Sequence, residues 1–370
     1  MRVVVAGALA NKPGNGGEAW VRLSWLEGLR RLGLDVSFVE ELPVDVWGSS
    51  TASCIGWFRS VVDRFGLGDV ATLLDAASGE VLHGPSPVAH ADLLVNISGH
   101  LRSPALLDRC DRRAYVDIDP GYTQLWHLQG ADLGLDDHDL HVTVGLNLGR
   151  SSCTIPTAGF EWHPVPPPVV CADWAAPPLP SLDRFTTVAS WRGGFAPVEH
   201  DGVRFGVKAH QLRRLVALPQ HVAVTLEVAL DIHPADDADR RSLEDHGWCL
   251  RAPSEVAGDP DAFRAYVQAS AGELSVAQGV YVETRSGWFS DRTARYLAAG
   301  RPALVQDTGF GSSVPTGLGL LTFTGIEDAA AGAEAIAAGY RDHAEAARAL
   351  AVAHLDSTGV LTRFVELASP

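Results

Sequence analysis

Residues Glu283–Gly309 read ETRSGWFSDRTARYLAAGRPALVQDTG, a Ser-Gly turn at the mouth of a helix, then Arg-Tyr-Leu-Ala-Ala-Gly, then Arg-Pro running into an apolar strand. A helix that opens out of a small-residue loop presents unpaired backbone N–H groups. Such an end attracts phosphate, each charge being worth about 0.3–1 kcal/mol and up to about 2 when partly buried. An anion site is therefore expected here, built from the amides of Ser286 and Gly287 and the helix start at Ser290, with Arg285 or Arg292 adding charge-assisted hydrogen bonds. The aromatic pair Trp288-Phe289 at the helix mouth is unusual for a merely structural loop.

On either side of this stretch, strand and helix signals alternate. Upstream, FTTVASW reads as a strand, VKAHQLRRLVALP as a helix, VAVTLEVAL as a strand, and DPDAFRAYVQAS as a helix capped by Asp259 with Pro260 in its first turn. GVYVE is expected to be a further strand. Nearer the start, RVVVAG is a strand, EAWVRLSWLEGLRRLG a helix stopping at Gly33, and LDVSFVEE a strand, with more at ADLLVNISG, RAYVDID and HVTVG. Alternation of this kind means an α/β fold with parallel, doubly wound sheets. The proline-rich HPVPPPVVCADWAAPPLP separates two such halves, because proline removes donors and fixes φ. The 370 residues suit two domains. The expected division is residues 1–165, a crossing over 166–182, a second domain over 183–352, and a C-terminal helix over 353–370 that packs toward the first domain.

A net charge of −16 argues against a nucleic-acid surface, which needs clustered Lys and Arg. No run of eighteen apolar residues or basic amphipathic helix points to a membrane. MRVVVAGALANKPG is expected to be a buried first strand rather than a signal peptide. Five scattered cysteines form no CxxC and suggest a reducing, cytoplasmic setting without zinc or disulfides.

Two doubly wound halves, a proline crossing and a helical tail resemble the two-domain glycosyltransferases of the GT-B fold. SGWFSDRTARYLAAGRPALVQDTGF looks like the donor-site signature of family-1-like and family-4-like members, and YRDHAEAARALAVAHLDSTGVL looks like their terminal helices. The resemblance implies a nucleoside-diphosphate sugar as co-substrate, held mainly by the second domain, with the acceptor facing the first. It implies no covalently bound cofactor, and a homodimer is compatible with it. One departure stands out. Many retaining members carry an E-x7-E pair whose second Glu lies five residues before the helix-end Gly. Counting back from Gly300 gives Arg295 and Gly287, while Glu283 and Asp291 are out of register, so the stereochemical course is left open.

Further candidates follow the same layout. Ser190-Trp191-Arg192-Gly193-Gly194 ends the first strand of the second half, where Gly193 lets backbone approach a phosphate and Arg192 supplies charge. Lys208 opens the next helix. By resemblance, an Arg and a Lys from these positions steady the leaving diphosphate, and Trp248 lies where nucleotide bases sit. Asn15-Gly16-Gly17 follows the first strand as an acceptor-side loop. It is not GxGxxG, although Glu40 and Glu41 end the second strand and keep a dinucleotide reading open. His100 and Asp119 end strands of the first half, and either can serve as general base if the enzyme inverts. Asp117-Ile118-Asp119 spells DxD, but alternation puts Ile118 on the opposite face, and no metal is expected.

The sequence thus reads as a metal-independent glycosyltransferase acting on a small-molecule acceptor. The rivals are a nucleotide-sugar epimerase on the same fold and a non-catalytic nucleotide-sugar-binding protein.

Overall fold

The structure is a computed structural model describing residues 1–43, 49–175, 178–194 and 196–369. The strands of the first sheet are β1 (Arg2–Ala6), β2 (Asp35–Leu42), β3 (Ala71–Asp75), β4 (Val81–His83), β5 (Ala91–Ile97), β6 (Cys110–Asp117), β7 (Leu140–Thr143) and β8 (Trp162–Pro164). They lie in the order β4-β3-β2-β1-β5-β6-β7-β8, parallel except for β4. The second sheet is parallel, in the order β13-β12-β9-β14-β15-β16. Its strands are β9 (Arg184–Ser190), β12 (Thr225–Asp231), β13 (Cys249–Arg251), β14 (Gly272–Ser275), β15 (Ala303–Gln306) and β16 (Leu320–Phe323). Between β9 and β12 stands a separate hairpin, β10 (Val198–His200) with β11 (Val203–Phe205).

The helices of the first half are α1 (Gly16–Arg31), α2 (Thr51–Arg64), α3 (Pro104–Leu107) and α4 (Tyr122–Leu128). Those of the second are α5 (Lys208–Arg214), α6 (Asp237–Asp245), α7 (Pro253–Val256), α8 (Pro260–Ala269), α9 (Gly279–Glu283), α10 (Asp291–Ala298), α11 (Ile326–Ala338), α12 (Tyr340–His354) and α13 (Ser357–Ala368). Apart from the edge strands β4 and β8, each sheet carries the doubly wound order, reversing between β1 and β5 in one and between β9 and β14 in the other. Ligands of such sheets bind outside the carboxyl ends of the strands at these reversals.

GVYVE is the helix α9, a correction to the strand expected there. The strand is GELS (β14), which an apolar-run reading passes over because Glu273 interrupts it. Glu273 is fully buried and tolerated because Arg292 of α10 donates to it through Nε at 2.7 Å. The Val-Tyr-Val of α9 has strand-forming side chains but packs as a helical turn against α4, through Tyr122 and Val280.

One apolar interior runs through both halves. Trp174, fully buried in the crossing segment, stands between Trp20 of α1 and Phe263 of α8, with ring centroids 5.0 and 6.1 Å away. The last helix, α13, lies on α1, where Trp25 meets Phe364 edge to face and Gly28 lets Leu361 approach. The outgoing and returning crossings pair with each other. The Val169 amide donates to the Leu355 carbonyl at 3.0 Å, and the Ser357 amide donates to the Val169 carbonyl at 2.9 Å. The Cys171 amide donates to the Asp356 carboxylate at 3.2 Å. Replacing Trp174 by alanine is expected to cost about 3–5 kcal/mol, because its cavity opens in a core that both halves share; urea unfolding followed by fluorescence measures it.

Candidate active site

The carboxyl ends of the two sheets face each other. The loop between β1 and α1 is shaped by Glu40 from β2. Its buried carboxylate accepts from the amides of Leu9 at 2.8 Å, Ala10 at 2.6 Å and Asn11 at 3.0 Å. Burial raises that carboxyl to about 7, against the three amides. Glu41 accepts from the amides of Arg102 and Ser103 at 2.6 and 3.1 Å. Both glutamates hold first-domain loops, which removes the dinucleotide reading that relied on one of them meeting a ribose.

At the end of this loop the Asn15 side chain caps α1 by accepting from the Glu18 amide at 3.1 Å. The Gly16 amide donates to the Ala257 carbonyl of the second domain at 2.8 Å, and a Cβ on Gly16 would collide with the Asp259 carbonyl. Asn15 and Gly17 border a cavity of about 420 Å³ whose opposite wall carries Ser190, Lys208, Asp291 and Arg292. The Arg292 guanidinium is held by Glu273, the Val188 carbonyl and Ser275 Oγ, the last two at 2.8 Å. Lys208 differs: among the described residues its ammonium has no ion-pair partner, while its amide donates to Gln278 Oε1 at 2.6 Å. Burial and the nearby Arg292 charge pull it down to about 7.

A second cavity, about 170 Å³, adjoins the first through Glu18 and Asp291, which border both. Its walls are Asp119 and Ile118 from the first domain, Trp25 of α1, and Trp288, Phe289 and Arg295 from the second. Asp119 accepts from the Tyr281 hydroxyl of α9 at 2.9 Å, and burial with the Asp117 charge raises its carboxyl to about 7. Tyr281 in turn stacks on Trp288 at 4.7 Å. Asp117, the first acid of Asp-Ile-Asp, is fully buried and consumed by Thr123, Thr143, Gln124 and the Asp119 amide. The described residues contain one His/Asp group with metal-ligand spacing, His90, Asp92 and Asp111; it is exposed, at the amino ends of β5 and β6 and away from the cleft.

Several expected donor residues do other work. The Arg285-Ser286-Gly287 amides are spent: they donate to the carbonyls of Val282, Tyr281 and Thr308. The carbonyls of Ser286 and Gly287 accept from the amides of Asn147 and Leu146 at 3.0 and 3.2 Å, and Asn147 Nδ2 donates to Arg285 O and Gly309 O. This turn joins the domains instead of cradling phosphate, and the Arg285 side chain is exposed 3.6 Å from Asp307. At the mouth of α10, Ser290 Oγ accepts from the Arg292 amide, and Asp291 already stands in the helix field, paired with Arg295 one turn on. Arg192 forms a two-pronged pair with Asp236 at 2.7 and 2.8 Å, so its charge is met. Gly193 has a positive φ of 72° and turns its amide back to Ser190 Oγ. Trp248 is a core residue, 4% exposed, donating to the Val216 carbonyl. His100 lies in a separate cavity with Asn11, Glu41 and Arg102, and burial pulls it down to about 3. Trp288 borders the Asp119 cavity and not the Lys208 one. The sequence reading passed over Glu18, Asp291 and Arg295 as wall residues and Tyr281 as the donor to Asp119. The i,i+4 spacing of Glu18 with Arg22 and Asp291 with Arg295 was the available signal.

No family model matches the chain, and no curated protein matches it. Among solved structures it is similar over its full length to the alpha-glucosyltransferase AGT in complex with UDP, at 10% identity and a TM-score of 0.62, covering all of both chains. HepE from Anabaena, in complex with UDP and glucose, is 11% identical with a TM-score of 0.59 and 99% of each chain covered. AviGT4, a glycosyltransferase involved in avilamycin A biosynthesis, is 13% identical with a TM-score of 0.56, over 100% of this chain and 97% of that one. The likeness is one of architecture: this chain has the GT-B fold.

Because Gly16 has no room for a side chain while Gly17 does, Gly16→Ala is expected to destabilise the protein by about 1–3 kcal/mol and Gly17→Ala by much less. Paired thermal melts distinguish the two.

Proposed function

We propose that the chain is a glycosyltransferase that moves a sugar from a nucleoside-diphosphate sugar to a hydroxyl of a small-molecule acceptor. The observation that carries this reading is Lys208, a cation without an ion-pair partner among the described residues, in the wall of a cavity between two facing doubly wound sheets. The GT-B neighbours solved in complex with UDP support the choice of ligand.

In this reading the diphosphate lies against Lys208, with Arg292 behind it and Ser190 and Gly17 beside it. The acceptor hydroxyl gives its proton to Asp119 as its oxygen bonds to the anomeric carbon. The bond from that carbon to the diphosphate oxygen breaks, and its electron pair leaves with the diphosphate, where Lys208 meets the charge without a metal. A carboxyl raised to about 7 suits a base acting near neutral pH. A non-catalytic binding protein has no use for a carboxyl raised to about 7 beside a small cavity.

Lys208 makes nucleotide binding pH-dependent. It is half charged near pH 7 when free and fully charged beside a diphosphate, so affinity should fall about tenfold from pH 6 to 8. Calorimetric titration with UDP, dTDP, GDP and ADP checks this. Lys208→Arg should flatten the dependence, and Lys208→Ala should weaken binding about 10–100-fold. If none of the four nucleotides binds at millimolar concentration or below, the reading fails.

Asp119 links folding, rather than binding, to pH. Its raised carboxyl favours the folded state below the ordinary aspartate range, and that contribution is lost as pH rises through about 7. Asp119→Asn should therefore be at least as stable as the parent at pH 8. The same variant should lose about 10²–10⁴ in kcat, together with the ascending limb near pH 7. Full turnover in Asp119→Asn would exclude it as the base.

A further inference from the structure

The two acids of Asp-Ile-Asp are held in different ways. Asp117 takes its donors from its own domain: Thr123 Oγ1, Thr143 Oγ1, Gln124 Nε2 and the Asp119 amide. Among the described residues the Asp119 carboxylate takes one, the Tyr281 hydroxyl on Oδ1 at 2.9 Å, and that donor belongs to the other domain. Tyr281 is buried and firmly seated. Trp288 stacks on its ring at 4.7 Å, and Tyr122 of α4 meets it edge to face at 6.0 Å. The Tyr281 carbonyl accepts from the amide and Oγ of Ser286 at 3.2 and 3.3 Å. The ring therefore stands on the turn that bonds Leu146 and Asn147 across the domain boundary.

We propose that Tyr281 is a positioning residue for the transfer: its hydroxyl, supplied by the second domain, holds Oδ1 of Asp119 and leaves Oδ2 to take the acceptor proton. The proposal rests on the glycosyltransferase reading above and adds the residue that completes its base. An unanchored carboxylate turns about its Cβ–Cγ bond and offers either oxygen in many directions. One hydrogen bond at one oxygen fixes its plane, and a base must be held in a productive geometry. The same bond governs how tightly Asp119 keeps a proton. A donor to a carboxylate favours the charged form, so Tyr281 works against the burial and the Asp117 charge that push this carboxyl up. The phenol itself is driven well above its usual range by burial and the Asp119 charge, so it remains a donor throughout. The charged groups that bear on Asp119 from other elements are Glu18 and Arg22 of α1, Lys208 of α5, and Asp291 and Arg295 of α10 across the small cavity. The phenols of Tyr115 on β6 and Tyr122 on α4 are pushed up by burial and stay neutral.

The titration of Asp119 and the pH profile of the reaction test the proposal together. In full-length protein carrying carbon-13 at its aspartate carboxyls, the Asp119 signal is the one missing from Asp119→Asn. It should titrate at about 7 in the parent and about one unit higher in Tyr281→Phe. Turnover is followed with UDP-, dTDP-, GDP- and ADP-glucose and water as acceptor. Water gives a proton to Asp119 as its oxygen bonds to the anomeric carbon, and glucose and the nucleoside diphosphate are released. In Tyr281→Phe the ascending limb of kcat should move up by the same unit. The ionised fraction at pH 7 then drops from about half to about a tenth, so kcat should fall about fivefold there and return toward the parent value by about pH 9, with KM changed less than about twofold. Tyr296→Phe removes a buried hydroxyl that bonds Thr186 instead, and should leave both the titration and the limb in place. The proposal is overturned if Asp119 titrates at the same pH with and without the Tyr281 hydroxyl, if Tyr281→Phe loses rate equally at pH 7 and pH 9, or if Tyr296→Phe moves the limb as far. A shifted titration in a protein that splits none of the four sugar nucleotides would keep Tyr281 as the anchor of Asp119 and remove the transferase reading.

Discussion

Leaving β7, the chain from Val144 to Asn147 meets the turn Arg285–Gly287 of the other domain backbone to backbone. Two amides of the first domain donate to two carbonyls of the second, and the Asn147 side-chain amide adds bonds to Arg285 and Gly309. Buried backbone groups must be paired, so this contact specifies position in a way that apolar packing alone does not. Gly287, at a φ of 72°, sits so close to Asn147 that a Cβ would collide with it. From this seam follow the apposition of Trp288 and Gly145, the reach of Tyr281 to Asp119, and the wall that both cavities share.

Charge in the cleft is arranged in the same spirit. Each facing helix carries its own acid–arginine pair one turn apart, Glu18 with Arg22 on α1 and Asp291 with Arg295 on α10, and both arginines are almost fully buried. Burying such groups unpaired would be costly; paired within their own helices, they let the domains meet without stranding a charge. Asp119 and Lys208 are the exceptions: Asp119 is answered by a hydroxyl, and among the described residues Lys208 has no ion-pair partner. Both are drawn toward neutral pH by burial, and both are left available for a ligand.

Much of the architecture is legible in the chain itself, because alternation of β-rich runs and amphipathic helices is a local property. The helix at Ser290, the capped helix after Asp259 and the proline seam can be read residue by residue. GVYVE misleads because Val and Tyr favour strands by side-chain shape, whereas its helical state is set by packing on α4. GELS is hidden because the partner that makes Glu273 acceptable lies 19 residues away at Arg292. The Ser286-Gly287 turn has the composition of a phosphate loop, but its amides are taken by the Tyr281 and Thr308 carbonyls and its carbonyls by a segment some 140 residues earlier. Arg192 and Trp248 look available for the same reason: Asp236 and Val216, which engage them, come near only through the fold.

The pairing of the outgoing crossing with the returning one has a mechanical consequence. Two covalent links between bodies ordinarily restrain them at two points, but here Val169 and the Leu355–Ser357 segment are bonded to each other. The two crossings are thereby tied to each other at one place, beside the shared apolar interior. Elsewhere the halves meet at the β10–β11 hairpin, where Gln129 Nε2 donates to the Glu199 carbonyl. That hairpin lies in the chain between Ser190 and Lys208, so its placement bears on both of these residues of the larger cavity's wall.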